Sequence, residues 1–131
     1  MVIDTSTVIA VLLGEAAAPA LRVAIATDPV RLISAISVLE ATCVIGARRG
    51  VAAVSELRLF LYEFHLEIVP FDASHLEIAQ MAWLNYGRGF HPAGLNFGDC
   101  APYALSRATG EPLLFVGNDF RKTDIAAVDY L

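Results

Sequence analysis

The chain has 131 residues with 9 basic and 14 acidic side chains, a length suited to one domain and a net charge of −5 that argues against holding nucleic acid by bulk positive charge. Its cysteines, Cys43 and Cys100, exclude a disulfide scaffold, and no CxxC or Cys/His cluster offers a structural zinc site. Hydrophobic residues reach 56%, yet Val8–Leu13 and the stretch 33–47, which Glu40 interrupts, fall short of the ~20 apolar residues of a spanning helix.

Met1-Val2-Ile3-Asp4 has no basic region ahead of an apolar core, so no signal peptide is read and a soluble, cytoplasmic protein is expected. The apolar surplus suggests that a partner chain covers part of the surface. Residues 1–4 read as a short strand ending in a carboxylate, followed by the capping residues Thr5-Ser6-Thr7. A helix is expected from about Ser6 to Ala26, broken near Gly14. Asp28-Pro29 marks a turn, and Val30–Ile33 reads as a strand.

Two helices follow, Ser37–Arg49 stopped by Gly50 and Val51–Phe64. Leu66–Val69 is a strand closed by Pro70, and Ala73–Tyr86 a strong helix. The stretch Gly87–Gly98, with four glycines and a proline, reads as a loop. A helix over Asp99–Thr109, with Pro102 in its first turn, precedes a strand at Leu113–Val116. A turn at Asp119–Asp124 and a last strand at Val128–Leu131 complete the chain. Strands alternating with helices give an α/β fold with a mostly parallel sheet, whose ligands sit beyond the carboxyl ends of the strands.

Four acids stand where that edge should be. Asp4 and Asp119 follow strands, Asp99 opens a helix, and Glu40 lies inside an otherwise apolar or small-residue helix. Glu40 has Ile36, Ser37, Cys43 and Val44 at helical spacing, so no basic neighbour neutralises it. Each acid has a plain structural reading as well. Asp4 and Asp99 suit helix N-caps, Glu40 a solvated stripe shared with Ser37, and Asp119 a turn residue paired with Arg121 or Lys122. Asp124 has the same basic neighbours. Taken together, four carboxylates on one edge repel each other unless a cation sits among them. Oxygen ligands without His or Cys suit Mg²⁺ or Mn²⁺ rather than zinc. Such an ion activates water and clamps a phosphodiester, supplying the positive charge the chain lacks.

The motifs Met-Val-Ile-Asp4-Thr-Ser, Leu95-Asn-Phe-Gly-Asp99-Cys and Pro112-Leu-Leu-Phe-Val-Gly-Asn-Asp119-Phe, with Thr123-Asp124-Ile behind them and Glu40 between, span the chain. In this combination the chain resembles a PIN-domain ribonuclease of the VapC type, the toxin half of a toxin–antitoxin pair. The resemblance implies a three-layer α/β/α domain over residues 1–131, with strand order 3-2-1-4-5. It implies Mg²⁺- or Mn²⁺-dependent endonucleolytic cleavage of RNA, with Asp4 and Asp99 as principal ligands and Glu40 and Asp119 completing the catalytic set. It also implies a homodimer and a small antitoxin that covers the groove. The chain departs from the family pattern in Pro102 and in its few basic residues.

For holding RNA, the candidates are Arg48-Arg49, which also suit the dipole of their helix end, and Arg88 in the aromatic loop Tyr86–His91. His91 is a candidate for proton transfer, whereas His65 and His75 read as surface or satisfied residues. Cys43 and Cys100 read as small buried hydrophobes. The stripe Ile78, Ala79, Ala82 and Trp83 reads as core, with neighbouring apolar residues as a dimer face. A receiver domain would use Asp72 as phosphoacceptor but wants an acidic pair after the first strand and a Lys after the fifth. A phosphatase of the haloacid-dehalogenase type wants Asp-x-Asp where this chain has Asp4-Thr5-Ser6. A non-catalytic binding module is the remaining alternative.

Overall fold

A computed structural model describes residues 1–131. The elements are β1 (Val2–Ile3), α1 (Thr5–Leu12), α2 (Ala18–Thr27), β2 (Leu32–Ser34), α3 (Ala35–Arg49), α4 (Val54–Glu63), β3 (Glu67–Val69), α5 (Ala73–Tyr86), α6 (Phe97–Thr109) and β4 (Leu113–Leu114). Short 3-10 turns at Val51–Ala53 and Phe120–Lys122 precede α4 and follow β4. The strands run parallel in the order β3-β2-β1-β4, with Val2 paired to both Leu32 and Leu113.

Strand alternation divides the interior. Ile3, Ile33 and Leu114 join Val8, Leu21, Ile45 and Leu57 of the first four helices. Val2, Leu113 and Phe115 instead join Ala82 of α5 and Tyr103 and Leu105 of α6. The short strands β1, β2 and β4 are held between buried faces, as expected for a parallel sheet covered on each side, whereas the edge strand β3 is largely exposed. Helices on both sides give the three layers read from the sequence.

Of three local expectations, two are corrected and one, the helix break near Gly14, is borne out. The last strand, read at Val128–Leu131, is reduced to an isolated bridge between Leu113 and Ala127, fixed by Leu113 N–H to the Ala126 carbonyl and Val128 N–H to the Leu113 carbonyl, both 2.9 Å. A fifth position therefore exists beside β4 for one residue pair, and too few backbone groups pair to make a strand. The first long helix divides into α1 and α2 around Gly14, whose φ of 66° suits glycine. Helix α6 begins at Phe97 rather than Asp99, because Asn96 takes the capping role, and Pro102 therefore lies in the second turn, inside the helix.

No helix is long and apolar enough to cross a membrane.

Candidate active site

The carboxyl edge of the sheet carries the first acid directly. Asp4 follows β1, and its backbone N–H reaches the Leu114 carbonyl at 3.0 Å, which ties it to the end of β4. Its side chain caps α1, accepting from the Ser6 amide at 3.0 Å and from the Ser6 hydroxyl. The same hydroxyl accepts the Val116 amide at 3.0 Å, so Ser6 bridges the chain after β1 to the chain after β4. Asp4 is 4% exposed. Burial pushes its carboxyl up to about 6, against the lowering effect of the Ser6 bonds, and the Glu40 charge adds to the rise. The capping reading of Asp4 is thus correct, and it coexists with a carboxylate held in an unfavourable environment.

Asp99 is the third residue of α6, not its cap. Asn96 Oδ1 accepts the Asp99 amide and Asp99 Oδ2 accepts the Asn96 amide, each at 3.0 Å, in a reciprocal capping box. The box fixes the carboxyl's orientation. Burial pushes it up to about 7, with further upward contributions from the charges of Asp4, Asp119 and Glu40. Electrostatically, then, the structure brings together the four acids singled out from the sequence.

Glu40 reaches this group from the second turn of α3, and its carboxyl lies against Gly98 of α6. Ser37, one turn earlier, is 1% exposed, so the two residues share no solvated stripe. Ser37 accepts the Thr5 hydroxyl on its carbonyl at 3.2 Å, which joins α3 to the residue after Asp4, while its own hydroxyl is buried without a partner. Asp119 is exposed, at the entry to the 3-10 turn.

None of the four acids is ion-paired. The ion pairs of the molecule join the Met1 amino group to Asp28 and Glu111, and Arg107 to Asp124. The two basic residues after Asp119 turn elsewhere. Arg121 lies over the Phe115 ring and Lys122 points at the Pro92 carbonyl. No three His, Cys, Asp or Glu side chains form a ready-made metal cage. An uncompensated all-oxygen set of this kind fits Mg²⁺ or Mn²⁺ all the same, since Mg²⁺ keeps most of its waters and takes only one or two carboxylates.

The remaining candidates lie outside this group. Asp124 accepts the Tyr103 hydroxyl at 2.7 Å and pairs with Arg107 at 3.4 Å, a bridge from the C-terminal segment to the second half of α6. Arg48 and Arg49 are exposed in the last turn of α3, about 12 Å along the axis from Glu40. Arg88 is exposed in the loop after α5, where Phe90 packs on Trp83 and His91 on Tyr86 of that helix. His91 Nδ1 accepts the Ala93 amide at 3.0 Å, a contact within its own turn.

Asp72 caps α5 beside the edge strand β3 and is no phosphoacceptor at a switch point. Cys43 is exposed, contrary to expectation, because it falls on the outer side of α3. Cys100 is buried as expected, and burial together with Asp99 pushes its thiol up to about 11. His75 is neither surface nor satisfied, being buried with Nδ1 unpartnered. The residues missed from the sequence are Ser6 as a bridge, Asn96 as the cap and Gly98 as a contact. Of these, the Asn96-x-x-Asp99 spacing was a usable capping-box signal.

A model of the PIN domain family matches residues 1–126. The chain is 48% identical over 128 residues to a protein of Mycolicibacterium smegmatis named Ribonuclease VapC, covering 98% of this chain and 99% of that one. It is 44% identical over 128 residues to Ribonuclease VapC30 of Mycobacterium tuberculosis, covering 98% of each. In fold it is similar to the crystal structure of Mycobacterium tuberculosis VapC20, described as a Sarcin-Ricin loop cleaving toxin, with a TM-score of 0.78 over 97% of both chains at 20% identity.

Proposed function

This chain belongs to the PIN-domain family, among the VapC ribonucleases, and from that premise we propose that it is a Mg²⁺- or Mn²⁺-dependent endoribonuclease acting as the toxin of a toxin–antitoxin pair. The observation that carries the proposal is the pair Asp4 and Asp99, raised to about 6 and about 7 at the carboxyl edge of the sheet with no basic partner. Holding such acids uncompensated costs stability, and a bound cation removes that cost.

In this reading Asp4 and Asp99 would hold the ion, with Glu40 and Asp119 completing the site through water or a second metal. A bound divalent ion supplies an acidified water and charge compensation at the phosphate. The protein supplies the rest. Ser6 fixes the Asp4 carboxyl, and the capping box fixes that of Asp99. Glu40, whose carboxyl is the far end of a flexible side chain, would take up a proton from water at the site. Arg88, Arg48 and Arg49 are exposed cations that we assign to RNA phosphates beyond the acidic centre.

Residues 1–131 act as one PIN domain in the cytoplasm. Met81, Trp83, Leu84 and Phe97 expose an apolar strip along α5 and the start of α6, which we assign to a homodimer contact. A small cognate antitoxin covers the acidic groove.

The test is RNA cleavage by the purified protein with Mg²⁺, with Mn²⁺ and with chelator, set beside Asp4→Asn and Asp99→Asn. Cleavage that needs the metal and both acids is expected, together with growth arrest on expression that the neighbouring small open reading frame relieves. Cleavage persisting in chelator, or unchanged in both variants, overturns the proposal.

A further inference from the structure

Gly98 is buried at the second position of α6, between Phe97 and Asp99. Its backbone is ordinary helix, unlike Gly50 and Gly117, whose φ angles are 88° and 110°. A side chain is therefore conformationally allowed here, and alanine would suit the helix better than glycine. Space is what forbids it. A Cβ on Gly98 would stand 1.6 Å from Glu40 Oε2, 2.7 Å from Glu40 Cδ and 3.1 Å from Glu40 Oε1. The three nearest atoms all belong to one carboxyl group. By contrast, the nearest obstacle at Gly87 is the backbone carbonyl of Trp83, at 2.2 Å, which cannot move aside.

We infer that Gly98 is a positioning residue, whose bare Cα is the seat that holds the Glu40 carboxylate beside Asp99. The inference rests on the proposed reading of the acids as one site. A methyl at position 98 fills the seat and drives the Glu40 carboxyl outward. Glu40 is only half-buried and meets Gly98 with the far end of a flexible side chain, so the fold has an inexpensive way to yield. The capping box of Asn96 and Asp99 uses no atom of a residue-98 side chain and stays closed. Helix α6 therefore keeps its start and Asp99 its orientation, while Glu40 alone leaves its place. Glycine at this position weakens the helix and gives the site the room it needs.

The experiment is a double-mutant cycle of Gly98→Ala and Glu40→Ala, with Asp99→Asn beside it, reading thermal midpoint and single-turnover RNA cleavage at saturating Mn²⁺. Gly98→Ala is expected to melt at or above the wild-type midpoint yet to lose cleavage on the order of 100-fold, the scale of a misplaced group. The double variant is expected to be no slower than Glu40→Ala alone. Should Gly98→Ala melt lower, the inference requires Glu40→Ala to restore the midpoint, and failure to restore it overturns the inference. Wild-type cleavage by Gly98→Ala, or losses that multiply in the double variant, also overturns it. Wild-type cleavage by Asp99→Asn overturns the reading of the site itself.

Discussion

The Ser6 hydroxyl donates to the Asp4 carboxylate and, from the same position, accepts the Val116 amide at 3.0 Å. One side chain thus fixes a buried acid and pins the strand exit that leads to Asp119. Ser6→Ala removes both bonds and leaves the Val116 amide without this partner. A loss of about 1–3 kcal/mol is expected in denaturant unfolding. The Ser6 bonds also lower the Asp4 pKa, so the variant should need a higher pH for half-maximal metal-dependent cleavage. An unchanged pH profile would show that Ser6 serves the fold alone.

Asp4 and Asp99 give the metal-free protein a distinctive pH dependence. Both titrate near 3.8 in the unfolded chain and near 6 and 7 when folded. Between these values the native state binds more protons than the unfolded state, so stability falls as pH rises. Their contribution is fully present below about 3.8 and is lost as pH climbs through 6 and 7. The thermal midpoint in chelator should therefore drop between pH 5 and pH 8, and the drop should shrink in Asp4→Asn combined with Asp99→Asn. A midpoint that rises over this range in the wild type, or a slope untouched by the two substitutions, would contradict the assignment.

Glu40→Gln removes a negative charge that raises both Asp4 and Asp99 while keeping the shape of the side chain. The metal-free protein should be as stable as the wild type or more so, by up to about 1 kcal/mol at pH 8. Calorimetry in chelator checks this. A clear loss of stability would mark Glu40 as a structural partner.

Asp124 belongs to the other category. Its bonds to Tyr103 and Arg107 hold the C-terminal segment to α6. Because the carboxylate is 44% exposed, solvent screens the pair, and Asp124→Asn should cost about 1 kcal/mol with cleavage unchanged. A large kinetic loss at full stability would place Asp124 in the reaction instead.

These contrasts show which parts of the molecule were legible in the sequence. The alternation of elements is readable because apolar periodicity and Gly14, Gly50 and Gly110 mark their limits, and the acids stand out because Glu40 has no basic neighbour at helical spacing and Asp4, Asp99 and Asp119 fall at strand ends or a helix start. The start of α6 is less legible because Pro102 suits a first turn, whereas Asn96, three residues before Asp99, caps the helix and the helix runs past the proline. The last segment reads as a strand from its apolar residues, yet only one residue pair bridges it to β4. Ser6 and Gly98 were invisible for a different reason. Their roles arise from contacts across 110 residues, between Ser6 and Val116, and across 58, between Glu40 and Gly98, which no local pattern encodes.

Titration calorimetry of Mn²⁺ into the metal-free protein at pH 7.5 puts the central claim to the most direct trial. The account predicts binding by the wild type that releases protons, because Asp99 is partly protonated when metal-free, and loss of that binding in both Asp4→Asn and Asp99→Asn while each variant stays folded. Wild-type affinity in either variant, or no Mn²⁺ binding by the wild type, would contradict it.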